Sequence, residues 1–233
     1  MTIDIWLVSY PRSGNSLVAL ELLRAFPGGS YGIDPKYEEY ERRTGTPPDG
    51  VFNAIAADPT LVAETPTYRL VKTHDPPATP HNVPVISILR DGRDALVSQY
   101  HFTVPDKRHS PVQFWEDLKQ AGYRWDQWHI NWSLWLHRRG ALMLRYEHLL
   151  AFGFCEYEQA VLTRLLQSPF TRQTVLPIDS LRVVDAHHFR RGSPGEWQTL
   201  PLEEQVYLER ELAPTLGAWG YGPQGYDCSK VPW

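Results

Sequence analysis

Residues 3–9, Ile-Asp-Ile-Trp-Leu-Val-Ser, make a short, mostly apolar run. From Ser16 to Phe26 the apolar positions shift to helical spacing, with Leu17, Leu20, Leu22 and Leu23 forming a stripe. The first pattern predicts a β-strand and the second a helix, so the chain opens as strand, tight loop and helix. Residues 27–66 are rich in Gly, Pro and Tyr; they hold short helical candidates at 35–43 and 51–57 but no strong strand pattern, which marks a variable insert. Apolar runs bounded by polar or turn residues return at 68–73, 84–89 and 141–145 and predict three further strands. Asp91 and Asp94 stand at capping-box spacing ahead of Ala95, Leu96 and Tyr100, so a helix is expected there. One or two long helices are expected between 111 and 137. There Trp125, Trp128, Trp132 and Trp135, at spacings of 3, 4 and 3, share one face, as a stripe packed into a core requires. Residues 155–166 and 201–212 predict two more helices, and a Gly-Tyr-Gly-Pro tail follows.

Strands separated by helices, after an initial strand–loop–helix, argue for a parallel sheet covered by helices on both faces. In that architecture ligands bind at the carboxyl ends of the strands. A chain of 233 residues suits one sizeable core, so residues 1–233 read as a single domain. Apolar residues make up 42% of the chain, yet no run approaches the ~18 uninterrupted apolar residues of a membrane span, and no membrane partner is expected. Lys plus Arg is 23 against 27 for Asp plus Glu, a net charge of -4, so no overall basic field draws nucleic acid and any bound anion must meet a local pocket. Cys155 and Cys228 lack C-x-x-C partners, and the N-terminus has no basic leader, which together point to a reducing, cytoplasmic setting. His187 and His188 are adjacent and there is no H-E-x-x-H, so no metal site is expected.

The predicted strand ends carry the chemistry. The first reads Ser9-Tyr-Pro-Arg-Ser-Gly-Asn-Ser16: a Gly among small polar residues at a helix N-terminus suits an anion cradle, and Arg12 adds fixed charge. Taken alone, the same residues also fit an ordinary capped helix. G-x-x-x-x-G-K-[S/T] is absent, so this is not the ATP loop. The second end reads Arg69-Leu-Val-Lys-Thr-His-Asp-Pro76, where period-two alternation sets Lys72 and His74 on one face, a cation beside a titratable base. A surface strand end with a solvated lysine is the plainer alternative. The third end places Arg90 where the strand stops and Ser98 on the following helix, within reach of one phosphate, while Arg93 caps or pairs at the surface. Near the C-terminus, His188-Phe-Arg-Arg-Gly-Ser-Pro-Gly-Glu-Trp197 sets two guanidiniums beside glycines, either a loop closing over an anion or a solvated basic turn.

Taken in order, the loop at 10–16, Lys72-Thr-His74, Arg90-Asp-Gly-Arg-Asp94 with Ser98, Arg145-Tyr-Glu-His-Leu149 and Arg190-Arg-Gly-x-x-Gly-Glu-Trp197 resemble the motifs of the cytosolic-type sulfotransferases. The resemblance runs from residue 5 to about 200, with 27–66 and 150–187 unmatched in detail. It implies a P-loop-NTPase-like α/β fold and an enzyme that moves a sulfuryl group from 3′-phosphoadenosine 5′-phosphosulfate (PAPS) to a hydroxyl or amine of a small-molecule acceptor, leaving the bisphosphate PAP. By the same resemblance, Arg12, Ser13, Gly14, Asn15 and Ser16 would take the 5′-phosphosulfate, and Arg90 and Ser98 the 3′-phosphate. Arg190, Arg191 and Gly192 would close over that 3′-phosphate, Lys72 would face the sulfuryl group, and His74 would be the base.

Three positions depart from the pattern. Arg12 stands where small-molecule members usually have lysine, which keeps the charge but removes a proton donor. Leu17 replaces a tryptophan that stacks on adenine, and Gln198 stands where the family's dimerisation motif begins with lysine, so a monomer or a non-standard dimer is expected. The rival readings are a nucleotide or small-molecule kinase, which would need a carboxylate for Mg²⁺, and a nucleotide-binding protein without turnover. Tyr31, Tyr37, Tyr40, Phe52, Phe102 and Trp115 are candidate walls of an acceptor pocket, with acceptor specificity expected from 27–66 and 103–115.

Overall fold

Five parallel strands in the order β2-β3-β1-β4-β5 form the centre of a computed structural model that describes residues 2–35, 38–39, 50–75, 83–104, 106, 109–171 and 192–225. They are β1 (Ile3–Ser9), β2 (Gly29–Ile33), β3 (Tyr68–Thr73), β4 (Val85–Leu89) and β5 (Leu142–Arg145). β1 lies in the middle, with Leu7 opposite Lys72 of β3 and Ser9 opposite Ile88 of β4, so the ends of three strands meet along one edge. Alternation along β1 sends Ile5 and Leu7 into one core and Trp6 and Val8 into another, and this is how a two-sided sheet reads as a nearly continuous apolar run.

The first core lies under α1 (Asn15–Ala25), α2 (Gly50–Ala57), α6 (Tyr146–Phe152) and α7 (Glu156–Leu166), through Leu20, Val51, Leu149 and Leu162. The second lies under α3 (Gly92–Thr103), α4 (Pro111–Gln120), α5 (Trp125–Arg138) and α8 (Leu202–Ala218), through Leu96, Trp115, Trp125 and Leu208. Helices on both faces of a parallel sheet match the expected α/β architecture. Among the described residues no helix is long and apolar enough to cross a membrane.

Several expectations are corrected. The 27–66 segment supplies the edge strand β2, which pairs with β3 from Gly29 opposite Tyr68 to Ile33 opposite Lys72. The helical candidate at 35–43 lies mostly outside the described residues, whereas 50–57 is helical. Asp91 caps α3 by accepting from the Arg93 amide, but Asp94 does not complete a capping box, because the Asp91 amide donates to Glu147 and Asp94 is engaged elsewhere. Arg93 is buried rather than superficial, forked onto Asp91 at 2.7 and 3.0 Å. Its remaining donors reach the carbonyls of Gly222 and Pro223, so the Gly-Tyr-Gly-Pro segment is docked, with Tyr221 buried and donating to Glu147. The last helix runs past Pro214 to Ala218, since Leu212 and Leu216 still reach the second core. Of the tryptophan stripe, Trp125 and Trp128 are fully packed and Trp132 and Trp135 partly so. Trp115 is fully buried, donates to the Leu96 carbonyl and stacks on Tyr207, so it walls no pocket.

Two buried titratable groups set opposing pH terms. His129 sits among Trp125, Trp128 and Trp219 at 4.5, 4.8 and 5.5 Å, with neither ring nitrogen hydrogen-bonded among the described residues. Burial lowers its pKa from 6.5 to about 3. Burial also raises Glu147 from 4.5 to about 7, only partly offset by the Asp91 amide. Between pH 7 and 4.5 the unfolded chain protonates His129 while the folded one does not, so that term loses stability on acidification. The folded chain instead protonates Glu147 ahead of the unfolded one, and that term gains stability over the same range. Chemical denaturation across pH 4.5–6.5 should therefore show His129→Leu gaining about 1.4 kcal/mol per unit of acidification relative to wild type, and Glu147→Gln losing about the same.

Candidate active site

The loop between β1 and α1 is built around two left-handed residues, Arg12 at φ 65° and Gly14 at φ 92°. Arg12 has a side chain and so bears a local cost of about 1–2 kcal/mol there. The Arg90 guanidinium offsets it by donating from one Nη to the Arg12 carbonyl at 2.9 Å. α1 then begins at Gly14 without a side-chain cap, so the capped-helix alternative does not hold. Asn15 turns backward, its amide donating to the Leu7 carbonyl and to Ser9 Oγ at 3.1 Å each, which ties the loop to the strand it leaves. Ser13 is fully buried and its Oγ has no hydrogen-bond partner among the described residues; Arg90 Nε is in the same state. Ser16, on the first turn of α1, is partly exposed.

His74 lies one residue past the end of β3, so the alternation that sets Lys72 does not carry through to it. Its position comes from two hydrogen bonds. Its Nδ1 meets the Ser9 carbonyl at 2.7 Å, and Trp128 Nε1 donates to the His74 backbone carbonyl at 3.0 Å. A carbonyl only accepts, so Nδ1 carries the hydrogen and Nε2 is the basic nitrogen of the neutral ring. Lys72 is 6% exposed and stands between Leu7 of β1 and Ile33 of β2. Next to this pair, Thr73 Oγ1 donates to the buried Asp34 carboxylate at 3.3 Å and accepts from the Asp75 amide at 3.0 Å.

Arg12 Nε donates to Ser98 Oγ at 3.3 Å, and its guanidinium lies 4.4 Å from the Phe102 ring centre. The residues expected at the two ends of one anion, Arg12 and the Arg90–Ser98 pair, thus form a single connected cluster. Tyr146, quoted in a motif but given no role from sequence, binds that cluster together. Its ring supports the Arg90 guanidinium at 4.7 Å and fills the space beside Gly14, and its hydroxyl donates to the Gly192 carbonyl at 2.9 Å. Burial raises the Tyr146 phenol above its ordinary value, so the hydroxyl stays a donor. Arg190 and Arg191 lie outside the described residues. Leu17 is packed in the first core.

Tyr10, Tyr123 and Trp128 stand next to the His74 strand end as an aromatic group, with Tyr10 6.1 Å from Tyr123 and 6.2 Å from Trp128 and hydrogen-bonded to Gln99. Tyr10, in the loop beside Arg12, was the signal that sequence reasoning passed over. Tyr31 and Phe52 pack edge to face at 5.3 Å on the β2 side, while Tyr37 and Tyr40 lie outside the described residues. Among the described residues no group of three or more His, Cys, Asp or Glu side chains is placed to hold a metal ion.

The sulfotransferase-domain family model matches residues 2–160. Over 246 residues the chain is 25% identical to sulfotransferase 1A1 of Mus musculus, covering 90% of this chain and 83% of that protein. The rat sulfotransferase 1A1 is 24% identical over 91% of this chain and 84% of its own length. Among solved structures, a mouse sulfotransferase complexed with PAP superposes with a TM-score of 0.56 at 17% identity, covering 92% of this chain and 85% of that one. A retinol dehydratase in complex with androsterone and inactive cofactor PAP gives 0.56 at 18% identity, covering 91% and 80%.

The packing of Tyr146 against Gly14 yields a direct test. A Cβ at Gly14 would penetrate the ring and would sit at a disfavoured φ, so Gly14→Ala should cost roughly 1–3 kcal/mol in denaturant unfolding. In a Tyr146→Leu background the same substitution should cost less, leaving the backbone component.

Proposed function

Because the chain belongs to the sulfotransferase family, we propose that it transfers the sulfuryl group of PAPS to a hydroxyl or amine of a small-molecule acceptor, with His74 as general base. The observation that carries this reading is the His74 tautomer: with Nδ1 committed to the Ser9 carbonyl, Nε2 is the nitrogen able to take a proton. Family membership also sets aside the nucleotide-kinase alternative.

Two buried polar atoms with no hydrogen-bond partner among the described residues, Ser13 Oγ and Arg90 Nε, lie on the two segments that meet at the loop before the uncapped start of α1. That donor set suits the phosphates of PAPS. In this reading Arg12, Ser13, Gly14, Asn15 and Ser16 hold the 5′-phosphosulfate, Ser13 through its hydroxyl because its amide already donates to the Tyr10 carbonyl, Arg12 through its guanidinium and the others through backbone amides, and Arg90 with Ser98 holds the 3′-phosphate. Arg190, Arg191 and Gly192 complete the 3′ side. When bound, PAPS supplies a sulfuryl group joined to a good phosphate leaving group. Arg12, always protonated, stabilises negative charge without giving up a proton, and Lys72 stabilises charge on the sulfuryl oxygens. His74 accepts the acceptor's proton at Nε2 while the Ser9 carbonyl stabilises the resulting imidazolium through Nδ1. The acceptor is a small molecule whose oxygen or nitrogen reaches Nε2; the exposed rings of Tyr123, packed on Tyr10, and Phe52, packed on Tyr31, offer apolar contact. A cytoplasmic location and a monomer or non-standard dimer complete the reading.

A labelled-donor assay with a panel of alcohols, phenols, saccharides and amines tests it. His74→Ala should lower turnover by about 10²–10⁴ while binding of 3′,5′-ADP stays within twofold of wild type. Wild-type-like turnover in that variant would remove His74 from the mechanism. Phosphoryl transfer from ATP and Mg²⁺, with none from the sulfuryl donor, would overturn the reading as a whole.

A further inference from the structure

One buried carboxylate beside the site has no part in the chemistry above. Asp94, on the first turn of α3, is 1% exposed and turns toward a segment about a hundred residues further along the chain. Its Oδ2 accepts from the Gly195 amide at 2.7 Å and its Oδ1 from the Trp197 amide at 3.0 Å. Gly195, at φ 82°, starts the short 3₁₀ turn Glu196–Thr199, so both amides belong to a helix start that has no side-chain cap of its own. The Trp197 ring is buried under the Arg93 guanidinium at 4.0 Å. At the near end of the same loop, the Gly192 carbonyl accepts from Tyr146. The loop is thus held at three places by the segments that also carry Arg90 and its aromatic support.

We propose that Asp94 is a positioning residue for donor binding: its two amide hydrogen bonds hold the 192–197 loop against the Arg90 turn, so that the loop need not be ordered when the bisphosphate binds. This inference rests on the donor reading given above. The entropy of fixing a loop is met at folding, and binding keeps the affinity that ordering would otherwise consume.

A purely electrostatic role for Asp94 makes the opposite prediction. Asp94 is an anion that interacts with Arg90, so on charge alone its neutralisation should strengthen the binding of a multiply charged anion. Asp94→Asn keeps the shape and one acceptor oxygen, but its NH₂ opposes one of the two loop amides. If positioning governs, the same substitution weakens binding despite removing a negative charge.

The test is calorimetric titration of 3′,5′-ADP into wild type and Asp94→Asn, with donor kinetics and hydrogen exchange at the Gly195 and Trp197 amides. The expected result is a Kd about tenfold higher (about 1.4 kcal/mol), a donor KM raised in parallel, kcat at saturation within twofold, and faster exchange at the two amides. An unchanged or tighter Kd overturns the inference while leaving the donor reading intact. If wild type binds no 3′,5′-ADP, the donor reading falls and the inference with it. Should Asp94→Asn fail to fold, Asp94→Ser, smaller and too short to accept from both amides, takes its place: a raised Kd with faster exchange at the two amides supports the inference, and an unchanged or tighter Kd overturns it.

Discussion

Tyr146 lies where a side chain on Gly14 would have to go, supports the Arg90 guanidinium on its face, and donates its hydroxyl to Gly192. Arg90, so held, is aimed at the Arg12 carbonyl, and that bond sustains a left-handed arginine in the loop. Four segments far apart in sequence therefore meet around one ring. An aromatic residue suits the task because its flat face accepts a cation, its edge packs on bare backbone, and its hydroxyl reaches a carbonyl. Without the ring, the Arg90 charge would face an unfilled space and the loop strain would lose its counterweight. The cluster of cations is thereby ordered before any anion arrives, and preorganisation of this kind is what makes charge stabilisation effective in a closed site.

His74 is held by similar means from the other side of β1. Ser9 contributes its carbonyl to His74 and its hydroxyl to the Asn15 amide, so the strand end that leads into the anion loop also fixes the imidazole. Trp128, reaching from α5, fixes the His74 backbone, and the same indole packs against His129 and Tyr10. The loop at 10–16, His74 and the Tyr10–Trp128 aromatic group share one strand end, and displacement of any of them would be felt by the others. The buried network of Glu147, Asp91, Arg93 and Tyr221 forms the foundation below, tying the C-terminal segment to the turn that bears Arg90.

Four of the five strands were legible because buried parallel strands are runs of apolar residues, and the order of motifs at their ends pointed to the anion loop, the Lys72–His74 pair and Arg90. β2 was not, since Gly29-Ser-Tyr-Gly-Ile33 is an edge strand with one neighbour and two glycines, and its apolar content is low. Arg93 was read as superficial because charged side chains are rarely buried without a partner, and it is buried here on its partner Asp91 together with the carbonyl of Gly222, 129 residues further along the chain. That closing segment is glycine-rich and reads as a tail. Asp94 looked like a cap because its spacing is that of a cap, while the amides it binds are a hundred residues away. Contacts of that range leave no local pattern.

On the proposed reading, the β1 loop, Arg90 and Ser98 form one site for a nucleotide carrying phosphate at both the 3′ and 5′ positions. Calorimetric titration of 3′,5′-ADP against 5′-AMP, repeated at rising salt, measures this most directly. 3′,5′-ADP should bind at least about tenfold more tightly (about 1.4 kcal/mol), with a preference that shrinks in Arg90→Ala and weakens as salt screens the cations. Equal affinity for the two nucleotides, or a preference untouched by Arg90→Ala, would contradict it.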